Sequence, residues 1–455
     1  MSGALGLALA LHAAGLVQDQ PWTLQDAIGE PERLTVSGSV RARYEMLDGQ
    51  YRPGLTGSDQ LVSIRTTLFA ELDFSPLRVG AELHDARAYG ADLGSGISTG
   101  EVNALELIQA YVAADFGDRL GDGSQASVQI GRFKLDAGSR RLVGANNFRN
   151  TTNAFTGAAL RWSRGDSGLL AFYTLPQTRL PENRPALLDN EVAWDLESPD
   201  LTLWGVFLSE GGLPGSAIAE VFVVGLREDD AFDRPTRNRD LTTYGGRLYR
   251  NPAALAWDFE IEVGFQNGSS RASASPADVT DLEVEAAYAH LEAGRSFGGL
   301  WTPRLAFEYD FASGDKTPAD DAVNRFDSLY GPRRPDFGPT GIYGPLGRSN
   351  ISSPGIRVEV RPDDRWDGFV FYRALWLDEA RDAFANTGVR DVSGTSGRFA
   401  GHQVEARARY WIYPSVLRLE FGGAVLVNGR FLDQAPNATG QGDTVYGYVD
   451  ITRTF

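Results

Sequence analysis

The chain has 455 residues, with 60 acidic side chains against 43 basic ones, a formal net charge of −17 and no cysteine. That balance argues against a nucleic-acid binder, and the missing thiols exclude a disulfide framework and thiolate chemistry. No Pro/Ser-rich linker and no shift in composition divides the sequence, so one large domain is expected.

Taken in chain order, Ala4 to Val17 is apolar apart from His12. A run of about 14 residues suits the core of a signal peptide and is too short to span a bilayer as a helix. Residues 1–20 are read as a signal peptide, truncated because no positive n-region precedes the apolar run. Residues 21–33 are read as a periplasmic segment, and 34–455 as a single β-barrel. From Leu34 onward the sequence repeats stretches that alternate with period two. Leu255, Trp257, Phe259, Ile261, Val263 and Phe265 fall on one face of such a stretch, and Asp258, Glu260, Glu262 and Gln266 on the other. Period two predicts a strand. A soluble sandwich would bury the apolar side in a core, whereas a transmembrane barrel turns it to lipid and the charges to a wet lumen. Roughly eighteen strands are expected, the first near Val40 and the last near Val449. Those near Phe172, Val223 and Phe371 alternate poorly.

The connections between strands alternate between long and short. Asp48–Gln60 is long and Ser75-Pro76 tight; Ala312–Asn350 is the longest and Pro362–Arg365 short; Asp378–Arg398 is long and Tyr413-Pro-Ser415 tight. This asymmetry marks outer-membrane barrels, with short periplasmic turns and long external loops. No later run is apolar enough for a membrane helix, so a membrane form must be a closed barrel without edges.

If the apolar side meets lipid, parity assigns the inward residues. They include Arg41, Arg43, Arg65, Arg161, Arg247, Arg304, Glu308, Asp310, Arg357, Arg407, Arg409 and Asp450. The inward cations are almost all arginine, which stays charged when partly desolvated and holds a carboxylate through two parallel donors. Such a lining suits a carboxylated solute. The plainer alternative is that these charges cross-link the wall and fill the interior.

Several strings resemble one family. They are Glu82-Leu-His-Asp-Ala-Arg87, Leu105 to Tyr111, Gly131-Arg132 followed by Arg141-Leu-Val-Gly144, Glu308-Tyr-Asp-Phe-Ala-Ser-Gly-Asp315, and Phe326 to Tyr330 running on to Tyr343. In order and spacing they resemble the alginate export family of bacterial outer-membrane proteins over Leu34–Phe455. The resemblance implies an all-β, eighteen-stranded monomeric barrel in the outer membrane, passing an anionic polyuronate through an Arg-rich constriction. It adds Arg87 and Arg132 to the pore-lining set. Its partners would be outer-membrane lipid, an acidic polysaccharide or oligosaccharide and periplasmic secretion components, with no nucleic acid, cofactor or metal. Tyr413-Pro-Ser415 is far too short for the long periplasmic turn associated with gating in that family. A small-anion porin of the same fold is therefore the alternative.

Catalytic signatures are absent from the sequence. The four histidines, His12, His84, His290 and His402, have no metal-ligand spacing, and there is no Gly-x-Ser-x-Gly elbow. His290 and His402 are expected to be isolated, at the membrane interface or in the wall. A barrel-borne hydrolase and a plugged structural barrel are the remaining readings.

Overall fold

In the computed structural model the described residues are 22–230, 234–318, 320–334, 336–344 and 346–455. The expected signal peptide lies outside them. The strands are β1 (Leu34–Asp48), β2 (Ser58–Asp73), β3 (Leu77–Tyr89), β4 (Asn103–Gly117), β5 (Ser124–Phe133), β6 (Phe155–Arg164), β7 (Ser167–Pro176), β8 (Leu201–Leu213), β9 (Ala217–Glu228) and β10 (Asp240–Arg250). They continue as β11 (Trp257–Ser270), β12 (Leu282–Ser296), β13 (Arg304–Ala312), β14 (Ala322–Val323), β15 (Ile351–Val360), β16 (Trp366–Trp376), β17 (Phe399–Tyr413), β18 (Leu417–Asn428) and β19 (Thr444–Thr454). Each long strand pairs antiparallel with the next, and β1 pairs with β19 to close the ring. The two-residue β14 stands outside the ring, since β13 pairs directly with β15. The ring therefore has eighteen strands, as expected. No helix among the described residues is long and apolar enough to cross a membrane.

The faces divide as parity predicts. On β11, Trp257 is 63% and Phe265 51% exposed, while Glu262 is 1%. A soluble protein would invert that pattern, because exposing contiguous apolar area to water is unfavourable. The outward side is thus built for hydrocarbon, and the interior holds charge. The strands that alternate poorly have a cause. Phe172, Phe222 and Phe371 all point inward. Phe172, Phe207 and Phe222 stack at centroid spacings of 6.4 and 5.4 Å. An inward aromatic removes the contrast between faces on which period-two reading depends.

The two ends differ as the loop lengths predict. One end carries connections such as 74–76, 165–166 and 414–416; the other carries 134–154, 177–200, 313–350 and 377–398. The short helix Leu24–Ala27 sits at the short-turn end, where Gln25 bonds the backbone of Leu34 and Val36. There the seam is fastened by reciprocal backbone bonds between Gly38 and Phe455. A side chain at Gly38 would meet the Phe455 ring at 2.6 Å. Arg453, which interrupts the apolar face of β19, donates to the carbonyl of Trp22.

The main apolar cluster lies inside the ring. Phe133, Leu135, Val143, Phe148, Phe326, Phe337, Tyr343 and Leu346 belong to it. Most come from the connections 134–154 and 313–350, which fold into the lumen and pack on the wall.

A candidate conduction site built by two inserted loops

Parity brings Arg41, Arg43 and Arg65 together on the wall, where Arg41 stands directly opposite Arg65. Like charges in that position repel. The 134–154 loop supplies the compensation. Arg41 donates to the carbonyls of Asn147, Phe148 and Arg149 at 3.0–3.1 Å and to Asn150 Oδ1 at 3.1 Å. Arg65 donates to the carbonyls of Asn147 and Arg149 at 3.2 Å. Arg43 reaches the Phe148 carbonyl and binds Asp450, its cross-strand neighbour, at 2.8 Å. These arginines occupy the lumen as expected, and their donors are spent on holding a loop. His84 joins them through Asn150 O at 3.1 Å.

On the other side of the ring the charges neutralise one another. Arg247 binds Glu260 through two 3.0 Å bonds. Arg304 binds Asp258, Glu292 and Glu359. Glu308 meets Arg357 at 3.0 Å, and Asp310 meets Arg373 at 3.4 Å. Arg407 and Arg409 share Asp367 at 3.1 and 2.8 Å. Arg161 is exposed and makes a 3.4 Å bond to Gln129.

Two family-derived positions are corrected. Arg87 is opposite the outward Ile64 and shares its face with Leu83 and Tyr89. It pairs there with Asp85 at 3.0 Å and does not line the lumen. Plain alternation along β3 already gives that outward face; the register shifts beside it insert residues into β4. Arg132 stays within the protein, but its guanidinium goes to Glu106 at 2.7 Å, the Leu107 carbonyl at 3.0 Å and Glu197 at 3.7 Å. It ties the 177–200 connection to the wall, away from the other arginines. His290 is also corrected. It is buried in the lumen with Nδ1 2.8 Å from Asp310 and is not an isolated wall residue. Ligand atoms of His290, Asp310 and Asp336 lie within 4.8 Å of one another. Arginines already use both carboxylates, so cation binding there has nothing to recommend it.

The residues that sequence reasoning missed are on the inserted loops. Arg141 binds Glu262 at 2.6 Å, Asp336 at 2.9 Å and also Glu260. Arg348 binds Asp336, and Arg373 donates to the Asp336 backbone carbonyl. The two loops also meet through Tyr330 N–H on the Leu142 carbonyl at 3.0 Å. Asn153 Nδ2 adds a 3.1 Å bond to the Tyr330 carbonyl.

A second group of loop arginines lacks carboxylates. Arg149 and Arg179 both donate to Asn153 Oδ1 at 2.9 Å. Arg52 donates to Gln50 Oε1 and the Ile342 carbonyl. Arg333 is half-buried beside Gly347. None of Arg52, Arg149, Arg179 and Arg333 forms an ion pair with a carboxylate among the described residues. Burial, then Arg179 and Arg333, disfavour the charge of Arg149. The nearby acids are Asp195, which faces Arg179 and accepts from Leu180 N at 3.1 Å, and Glu101, buried on Ser98 N and Oγ at 2.9 and 2.8 Å. Burial pushes Glu101 up to about 6.

Open space flanks the 134–154 loop. A cavity of about 640 Å³ at the long-loop end is lined by Asn153, Arg179 and Tyr330. Another of about 630 Å³ toward the short turns is lined by Gly138, Arg161 and Glu220. The loop is the partition between them, and Gly138, at φ 52°, lets it approach Phe207.

The sequence profile described as alginate export matches residues 32–445. No curated protein matches the chain. Among solved structures, Pseudomonas aeruginosa OpdQ is 12% identical with a TM-score of 0.58, covering 93% of this chain and 98% of its own. Acinetobacter baumannii OccAB2 is 12% identical with a TM-score of 0.59 and the same coverage. Pseudomonas aeruginosa OccK2 (OpdF) in complex with glucuronate is 11% identical with a TM-score of 0.54, covering 92% of this chain and 96% of its own. At such identities the likeness is one of fold, that of an outer-membrane porin barrel.

Proposed function

The chain belongs to the alginate export family, and from that premise we propose that it is an anion-preferring channel for short carboxylated saccharides. Its place is the bacterial outer membrane, with the exposed apolar band against lipid, and its family and fold are those of transport channels. One chain completes the ring, which supports a monomer.

The observation that carries the reading is the surplus of guanidinium on the inserted loops. Arg149 and Arg179 converge on one neutral amide oxygen, with Arg52 and Arg333 nearby, and the two acids that face them, Glu101 and Asp195, both have their charge disfavoured by burial. Cations without carboxylates attract and orient a passing carboxylate, whereas the neutralised wall pairs do not. Glucuronate, held by OccK2, is a sugar of that chemistry.

The preference for short saccharides rests on the two loops fastened to each other across the lumen. A polymer would require both to leave, and the connection 414–416 is too short to act as a gate. Polymer export, with periplasmic secretion partners, is the second reading, supported by the family itself.

In planar bilayers under a salt gradient, the protein should prefer chloride to potassium. Glucuronate should reduce its current while glucose does not. The double variant Arg149→Gln, Arg179→Gln should lower the anion preference several-fold. Cation preference without a glucuronate effect overturns the reading. Liposome-swelling rates should fall off once oligouronates exceed a few sugars; undiminished entry of long chains favours the exporter.

A further inference from the structure

Asp336 is an anion inside a site made for anions. Its carboxylate receives Arg141 Nε at 2.9 Å and is also bound by Arg348, while Arg373 donates to its backbone carbonyl. All four residues are buried. The three arginines come from different places, namely the 134–154 loop, the 313–350 loop and β16. They are not equivalent. Arg141 keeps Glu260 and Glu262 whatever Asp336 does, and Arg373 keeps Asp310 and Glu308. Arg348 has no other carboxylate among the described residues. Its remaining contacts are the Arg141 carbonyl at 3.4 Å and the Phe337 ring at 5.3 Å. Removing Asp336 therefore leaves one guanidinium without a directly bound carboxylate, with only the more distant charges of Asp310 and Glu262 facing it, and a second with a free edge. That is the arrangement that binds a carboxylate.

Asp336 is also the side chain that joins the two loops. It lies on 313–350 and reaches Arg141 on 134–154, beside the backbone tie from Tyr330 to Leu142. The two loops are thus joined to each other by one carboxylate–guanidinium contact among a few neutral bonds, while Arg141 also holds the 134–154 loop to the wall through Glu260 and Glu262.

We propose that Asp336 is a tethered stand-in for the solute. Its carboxylate fills the seat between Arg141 and Arg348 when the channel is empty, and a uronate carboxylate exchanges with it during passage, undoing the charged contact between the two loops while each stays on the wall. This rests on the carboxylated-saccharide reading above and adds to it a specific seat and a reason for the passage to stay closed without solute. A tethered competitor acts at a high effective concentration, so a free carboxylate binds weakly until the tether is removed. Exchange also keeps both guanidiniums paired throughout, avoiding the penalty of a buried unpaired charge.

The test uses the full chain in planar bilayers with sodium glucuronate as probe and glucose as control. Asp336→Asn keeps the shape of the side chain and removes its charge. The expected result is a larger open fraction and a tenfold or greater fall in the glucuronate concentration for half-block. Arg348→Gln should also raise the open fraction, because the loops lose the same contact. It should raise the half-block concentration, because the seat itself is lost. Heat-modifiable gel mobility reports whether each variant forms a barrel, and if Asp336→Asn does not, Arg348→Gln decides alone. Unchanged half-block in a folded variant, with the wild type still blocked by glucuronate, overturns the tethered-ligand proposal and leaves the channel reading standing. No block by glucuronate in any form, in a channel that conducts, overturns the carboxylated-saccharide reading itself.

Discussion

A guanidinium shared among carboxylates and one facing only amide oxygens carry the same charge and present different fields. Arg304, with Asp258, Glu292 and Glu359 around it, is a cross-link of the wall. Arg149 is a source of positive potential. Glu101 sets how strong that source is. Burial lifts its carboxyl from the ordinary 4.5 to about 6. The neutral form is thus favoured by the fold. Its contribution to stability is present below about pH 4.5 and is lost as pH rises through about 6. The functional counterpart runs in the same direction. Lowering pH from 7 to 5 discharges Glu101 and leaves Arg149 and Arg333 unopposed. The anion-to-cation permeability ratio should rise with a midpoint near 6 as Glu101 and Asp195, which faces Arg179, lose their charges, and the double variant Glu101→Gln, Asp195→Asn should hold it at the high value at both pH values. A ratio that ignores pH, or a variant that still titrates, contradicts this. At this scale the sequence disclosed which wall arginines face inward and hid what they bind. The carbonyls that cap Arg41 belong to Asn147–Arg149, over a hundred residues downstream, and no periodicity points to them.

At the level of the strand, alternation was the legible signal, and it failed only where the physics changed. β7, β9 and β16 are full members of the ring whose inward faces carry Phe172, Phe222 and Phe371, so the contrast between faces is weak. Arg87, placed in the lumen by the family resemblance, follows the plain alternation of β3 and faces outward with Leu83 and Tyr89. Neighbouring strands are keyed by aromatic side chains laid over glycines. Tyr288 covers Gly264 and Tyr448 covers Gly422, and each hydroxyl reaches a carboxylate, Glu262 at 2.5 Å and Glu420 at 2.7 Å. The two faces of one strand should respond in opposite ways to charge. Val263→Arg, on the lipid side of β11, should cost about 2–4 kcal/mol if the position lies at the bilayer midplane. Arg161→Gln, in open lumen, should change stability by no more than about 0.5 kcal/mol. Urea titration of the refolded barrel in vesicles measures both, and equal effects would mean that the apolar face does not meet lipid.

For the molecule as a whole, the ring, its strand number and its loop asymmetry followed from the sequence. The inward folding of 134–154 and 313–350 did not. Length alone does not distinguish a loop that rises into solvent from one that turns into the lumen. A usable signal was present all the same. Phe148, Phe337, Tyr343 and Leu346 are too apolar for exposed loops, and all are buried against the wall or each other. On the proposal that the inserted loops set what passes, replacing residues 331–347 by a short glycine linker should leave a heat-modifiable barrel with conductance raised several-fold and anion preference largely lost. Unaltered conductance would place the narrowest point elsewhere.

The pairing of β1 with β19 joins residues some four hundred positions apart, and only through that join do these two strands gain a second neighbour. A partly assembled sheet would present two rows of unpaired amides to hydrocarbon, which cannot satisfy them. Insertion is therefore an all-or-none event in which the first and last strands are the final meeting point. Until Phe455 settles over Gly38, both edges need a guardian, and a lesion at that junction should appear as failed biogenesis before it appears as altered transport.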